Sequence, residues 1–149
     1  MKLSARTRYG ARLMVKLACE YGKDLVFLRT IAKSEDISEK YLSQIIIPLK
    51  AAGLVNAVRG VQGGYMLAKN PKNITMKDIF YALEGKAEIM ACFGGKSSCK
   101  RSSICVTQGV WHIMQKSINS ALEGFDLEGL AKQYKSLEKD QTVYFPSVF

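Results

Sequence analysis

The chain has 149 residues, a formal net charge of +9 and 48% hydrophobic residues. That is the length of one domain, or of one compact domain with an added interaction segment, and it suffices to bury a core. No run approaches the roughly 20 apolar residues of a membrane span, and the opening MKLSARTRYG fits neither a signal nor a transit peptide, so a cytoplasmic location with no membrane partner is expected.

The charge is unevenly placed. Residues 1–70 hold twelve Lys or Arg against five Asp or Glu, for +7, and residues 71–149 hold ten against eight, for +2. A basic first half suits a polyanion, because neutralised phosphates release counterions, although a soluble basic surface has the same composition.

Ser4 is an N-cap for a first helix in which Leu13, Met14, Leu17, Ala18 and Tyr21 recur on one face, with Gly22 as its end. Arg8, Arg12 and Lys16 follow at i+4 on another face, a basic ridge suited either to a phosphate backbone or to solvent. Residues 30–34 read as a short helix and EDIS as a turn to Ser38, the next cap. From there SEKYLSQIIIPLKAAGL carries Leu42, Ile45, Ile46, Leu49 and Ala52 as a helical stripe, stopped by Gly53. Two helices joined by a tight turn, the second opening on small polar residues, predict a helix-turn-helix whose second helix enters the major groove. Pro48 predicts a kink over residues 44–48, with groove reading before it.

LVNAVRG and GYMLA predict two short strands around the tip RGVQGGY, a wing carrying Arg59. After Asn70 and Pro71, Thr75 caps a helix with Ile79, Phe80 and Leu83 inward and Gly85 at its end. Residues 106–122 form a longer periodic segment with Val110, Ile113, Met114, Ile118, Ala121 and Leu122 as its stripe. That is more apolar surface than a small winged domain covers by itself, so a dimerisation helix is expected beside the plainer alternative of a core helix. DLEGLAKQYKSL is a further amphipathic helix. The expected fold is mainly α with a small β-hairpin wing: a winged helix-turn-helix over 1–85, a cysteine-containing loop over 86–105, the dimerisation and C-terminal helices over 106–140, and a tail over 141–149.

Three of the four cysteines, Cys92, Cys99 and Cys105, lie within CFGGKSSCKRSSIC. An odd count does not suit a simple disulfide, and no CxxC pair of the zinc-finger kind is present. Wide spacing in a Gly/Ser loop suits thiolates reaching around an iron–sulfur core, with Lys96, Lys100 and Arg101 between them favouring thiolate. Zinc and redox thiols stay open on spacing alone. Cys19, among Leu17, Ala18 and Tyr21, reads as a buried small hydrophobe and is left out of the site. One histidine and no convergent carboxylates offer no catalytic constellation, so an enzyme is not expected.

In this order, MKLSARTRYGARLMVKLA, ISEKYLSQI, LKAAGLVNAVRGVQGGYMLAK, ITMKDIFYALEG and the three cysteines resemble the Rrf-two family of bacterial winged-helix regulators over about residues 1–122. They are most similar to the branch that regulates iron–sulfur cluster assembly. The resemblance implies a homodimeric transcriptional regulator on a palindromic promoter site in double-stranded DNA. It also implies a 2Fe-2S cluster on Cys92, Cys99 and Cys105 whose presence changes which promoters are bound; a 4Fe-4S form suits three cysteines as well. RNA polymerase and cluster-donor proteins would be its further contacts. By position, Ser38, Tyr41 and Gln44 would meet bases or phosphates and Arg59 would serve in the wing; Ser43, on the same helix, and Arg8, from the basic ridge of the first helix, complete the expected DNA-binding set. The alternative within the family is a cluster-free regulator responding to thiol oxidation or a small metabolite.

Two departures stand out. Gln108 occupies the place of the family's fourth ligand, a histidine; His112 lies two turns beyond Cys105, about 10 Å along a helix running from it, whereas Gln108 is one turn on, though an amide oxygen is a hard, weak ligand for iron. Where some members use an acidic residue of the partner's first helix, this chain has Arg8. The fourth ligand is thus open between Gln108, His112 and a non-protein group, and a labile cluster is expected. Ser43 stands where cluster-sensing relatives often carry glutamate, which predicts that the protein without a cluster accepts a wider range of DNA sites.

Overall fold

The computed structural model describes residues 3–85, 99 and 101–140. Cys92, Lys96, Lys100 and the tail over 141–149 lie outside the described residues. Among the described residues, six α-helices and one antiparallel hairpin follow in the order α1 (Ala5–Cys19), α2 (Leu28–Glu35), α3 (Glu39–Ala51), β1 (Val55–Val58), β2 (Gly64–Leu67), α4 (Met76–Glu84), α5 (Gln108–Glu123) and α6 (Leu127–Asp140). The predicted fold, mainly helical with a hairpin wing, is the observed one.

Local capping chemistry starts the main helices where the sequence places them. The Ser4 hydroxyl accepts the Thr7 N–H at 3.1 Å, and the Ser38 hydroxyl accepts that of Tyr41 at 3.1 Å. Thr75 and Asp78 form a reciprocal capping box at the head of α4. After α3, Gly53 takes φ +67°, a left-handed conformation in which its N–H and that of Leu54 reach back to Lys50 and Leu49 carbonyls. Pro48 lies inside α3, and hydrogen bonding resumes beyond it, the Ala52 N–H donating to the Pro48 carbonyl at 2.9 Å.

The core joins Leu13, Met14 and Leu17 of α1 to Leu42, Ile45 and Leu49 of α3, with Ile74, Ile79 and Leu127 closing it. Gly10 is the close approach between α1 and its neighbours: a Cβ there would lie 2.3 Å from Leu83 Cδ1 and 3.2 Å from Ile45 Cγ2. Tyr21 differs from expectation. α1 stops at Cys19, so Tyr21 leaves the helical stripe and is 42% exposed, while Cys19 is buried as expected.

The basic ridge is corrected in part. Arg12 is 3.4 Å from Glu35, and Lys16 is half-buried, 3.9 Å from Glu35 and 3.7 Å from Glu138, with its ammonium 4.2 Å from the Tyr134 ring centroid. Desolvation would lower the Lys16 pKa, but the Tyr134 hydroxyl and the two carboxylates outweigh it and hold the pKa raised. These two cations brace α1 against α2 and α6. Only Arg8 of the three is left without an ion pair among the described residues.

At the other end of α1, the Ser4 and Thr7 hydroxyls both donate to the Glu84 carboxylate at the end of α4. Hydrogen bonds from Ser4 first and Thr7 second hold the Glu84 pKa below its ordinary value of 4.5. A depressed carboxylate pKa stabilises the fold above the ordinary value and loses that contribution as pH falls through the folded one. Glu84→Gln should therefore melt below the parent at about pH 7, the gap closing as pH falls below the ordinary carboxylate value and through the depressed folded one. Parallel thermal melts across that range check this.

Candidate nucleic-acid interface and cysteine site

The wing is anchored at its root and tight at its tip. β1 and β2 pair from Val55 with Leu67 to Val58 with Gly64, and Tyr65 exchanges two backbone hydrogen bonds of 2.9 Å with Val26 ahead of α2. At the tip the Gly63 N–H donates to the Gly60 carbonyl at 2.9 Å, and a Cβ on Gly63 would fall 2.3 Å from the Val58 carbonyl oxygen. Only glycine fits there. Arg59 therefore projects from a rigid turn.

Between this wing, α3 and the head of α2 runs a cleft whose charged lining is Arg29, Glu39, Lys50 and Arg59. Ser43 also lines it, and its hydroxyl donates to the Glu39 and Lys40 carbonyls at 2.9 and 3.0 Å. Gln44 is exposed one position further round α3. Tyr41 packs edge-on against Tyr9 with centroids 6.1 Å apart, and the Arg8 and Arg12 guanidiniums each lie 5.8 Å from the Tyr9 ring. The structure thus brings Ser38, Tyr41, Ser43 and Gln44 onto the first half of α3, Arg59 across the cleft and Arg8 beside the Tyr9–Tyr41 pair.

Three lining residues escaped the sequence reading. Arg29, its guanidinium 4.9 Å from the Phe27 ring, was missed because α2 begins two residues earlier than its periodicity suggests. Lys50 lies seven positions after Ser43 and so on the same face, a signal that was available. Glu39, the first residue of α3, reads as a helix-start acid and nothing more until the wing is placed opposite it.

The cysteine stretch meets α5 at its start. Cys99 and Cys105 are both free and exposed. Between them a 3-10 turn over Ser102–Ile104 is tied back by the Ser102 N–H to the Cys99 carbonyl at 3.2 Å. Cys105 Sγ is 3.3 Å from Thr107 Oγ1, and that hydrogen bond first, then the Thr107 and Gln108 N–H groups and the Arg101 charge, lower the thiol pKa. Gln108 is the first residue of α5, its N–H donating to the Cys105 carbonyl at 3.2 Å; His112 is exposed one turn later. Cys92 lies outside the described residues, and among those described no three His, Cys, Asp or Glu side chains gather around a metal position. The two described thiols fit thiolate ligation in being accessible and outside any disulfide.

α5 itself has no buried residue. Its second half docks on α4 through Tyr81 Oη donating to Asn119 Oδ1 at 3.1 Å and through the Lys77–Glu123 ion pair. Its first half offers Val110, 52% exposed, and Ile113, 69% exposed, in line with Val106. No helix among the described residues is long and apolar enough to cross a membrane.

A helix-turn-helix followed by an anchored, arginine-tipped hairpin defines a winged-helix DNA-binding protein. The chain belongs to the Rrf2 family, described as iron-dependent transcriptional regulators, whose sequence profile matches residues 3–133. It is 33% identical over 145 residues to the HTH-type transcriptional regulator CymR of Bacillus subtilis, covering 97% of this chain and 99% of that one. The structure of B. subtilis CymR, the global cysteine regulator, superposes with a TM-score of 0.74 at 32% identity, over 89% of this chain and 98% of that one. IscR of T. potens superposes with a TM-score of 0.71 at 36% identity, over 100% and 97% of the two chains. The expected family and fold are thereby established, and these relatives are transcriptional regulators, as the resemblance implied.

Proposed function

We propose that the protein is a homodimeric transcriptional regulator that reads a two-fold symmetric operator with α3 and the wing, and senses iron–sulfur status through a 2Fe-2S cluster on Cys92, Cys99 and Cys105. The observation that carries this reading is that two free, exposed thiols flank a single turn immediately ahead of α5. Ligands there sit where the winged body hands over to the helix that presents the uncovered apolar face. When bound, the cluster supplies an oxidant-labile centre. The chain's own part is to fix the start of α5, and with it the angle between two winged bodies. Gln108 is the protein group placed beside Cys105 for the remaining coordination position. Ser38, Tyr41 and Gln44 meet base edges, Ser43 presents a small neutral surface, and Arg8 and Arg59 hold phosphate or the minor groove.

A second reading has support from the CymR likeness: a regulator of the same fold that responds through thiols or a metabolite without a cluster. One experiment separates them. Protein purified without oxygen should show visible charge-transfer absorption with iron and acid-labile sulfide near two per chain by cluster stoichiometry. The triple variant C92A/C99A/C105A should lose all three signals while still binding DNA. Colourless protein that resists reconstitution would leave the cluster-free reading.

A further inference from the structure

We propose that Glu39 determines specificity at the DNA face: its carboxylate accepts a hydrogen bond from the N4 amino group of one cytosine in each half-site and penalises duplexes that lack it. This rests on the reading of the α3–wing cleft as the DNA face.

Among the described residues, Glu39 is the one acid lining a cleft that also holds Arg29, Lys50 and Arg59. It is exposed, and its carboxylate forms no ion pair or hydrogen bond among the described residues. A negative charge at a helix start contributes roughly 0.3–1 kcal/mol through the macrodipole. That accounts for an acid somewhere in the first turn. It does not account for one turned toward the surface that must approach a polyanion, at a helix start that Ser38 already caps.

The first turn of a recognition helix reaches deepest into the major groove. A carboxylate there is repelled by phosphates in every complex, specific or not. Only a donor on a base edge offsets that cost, and carboxylates pair with cytosine N4. Its neighbour leaves room for the contact: one turn on, the Ser43 hydroxyl is bonded to the Glu39 and Lys40 carbonyls, so it neither competes for the carboxylate nor crowds it. The acid thus works as a filter, lowering non-specific affinity and admitting sites with cytosine in register.

The test is selection of bound sequences from a random duplex pool by the full-length protein, its E39A and E39Q variants, and R59A. E39A should lose a cytosine preference of about tenfold at one position per half-site. It should also bind mixed-sequence duplex more tightly than the parent, with a melting temperature lowered by no more than a few degrees through the lost helix-start charge. E39Q should move the preference toward adenine, which a glutamine amide pairs bidentately. An unchanged base preference in E39A, while R59A weakens binding, overturns the role of Glu39 and leaves the cleft as the DNA face. Unchanged binding in both E39A and R59A overturns the cleft reading itself, and the Glu39 proposal with it.

Discussion

Replacing Val110 and Ile113 together with aspartate should yield a folded monomer that binds a two-fold symmetric operator at least about 100-fold more weakly than the parent. Both side chains are more than half exposed, so the substitution removes nothing from the core. The body of the molecule is complete without them: Leu13, Leu42, Leu49, Ile79 and Leu127 are fully buried within one chain. In a dimer the same two positions would be desolvated against their symmetry mates, and burying four like charges there is prohibitive. Two half-sites read by one linked dimer gain from effective concentration, which commonly multiplies avidity by about 10²–10⁴. Separate monomers forfeit that gain while each keeps its own half-site contacts. Sedimentation equilibrium, a thermal melt and titrations on full and half operators check the three parts. A variant that stays dimeric places the subunit interface elsewhere.

The parts of this fold legible in the sequence are those decided within one turn of chain. Ser4, Ser38 and Thr75 cap helices because a hydroxyl needs only the N–H three residues on. Gly53, and Gly60 and Gly63 at the wing tip, mark backbone that a Cβ would obstruct or strain. What failed depended on a partner far along the chain. Arg8, Arg12 and Lys16 share a face of α1, yet Lys16 is claimed by Tyr134 and Glu138, more than a hundred positions away. Periodicity marks a polar stripe without saying whether solvent, DNA or a carboxylate covers it. The same holds for the candidate site. Cys99, Cys105 and Gln108 fall together because they are sequence neighbours, whereas Arg29 and Glu39 join Arg59 only once the hairpin folds back toward α3.

The amphipathic C-terminal helix was legible as a helix but not as part of the core, and the second large effect is expected there. Leu127→Ala should destabilise the protein by about 2–5 kcal/mol. Leu127 is 0% exposed and its N–H donates to the Ile74 carbonyl at 2.9 Å, while the Met76 N–H donates to the Phe125 carbonyl at 2.8 Å. These bonds stitch the link between α5 and α6 to the head of α4. Ala131, buried one turn on, continues the contact against α1, where its carbonyl meets Cys19 Sγ at 3.9 Å. Leucine cannot be truncated at such a point without leaving a cavity that packed helices fill only in part. Leu137, 38% exposed on the same helix, is the internal control, and L137A should stay within about 0.5 kcal/mol of the parent. Urea denaturation of the two variants provides the comparison; equal stabilities would mean that α6 rests on the body without sharing its core. A large effect at Leu127 alone would establish that α5 is pinned to the body at its C-terminal end. Its other end, which starts beside Cys105, is then the end left to respond in the proposed cluster-sensing reading.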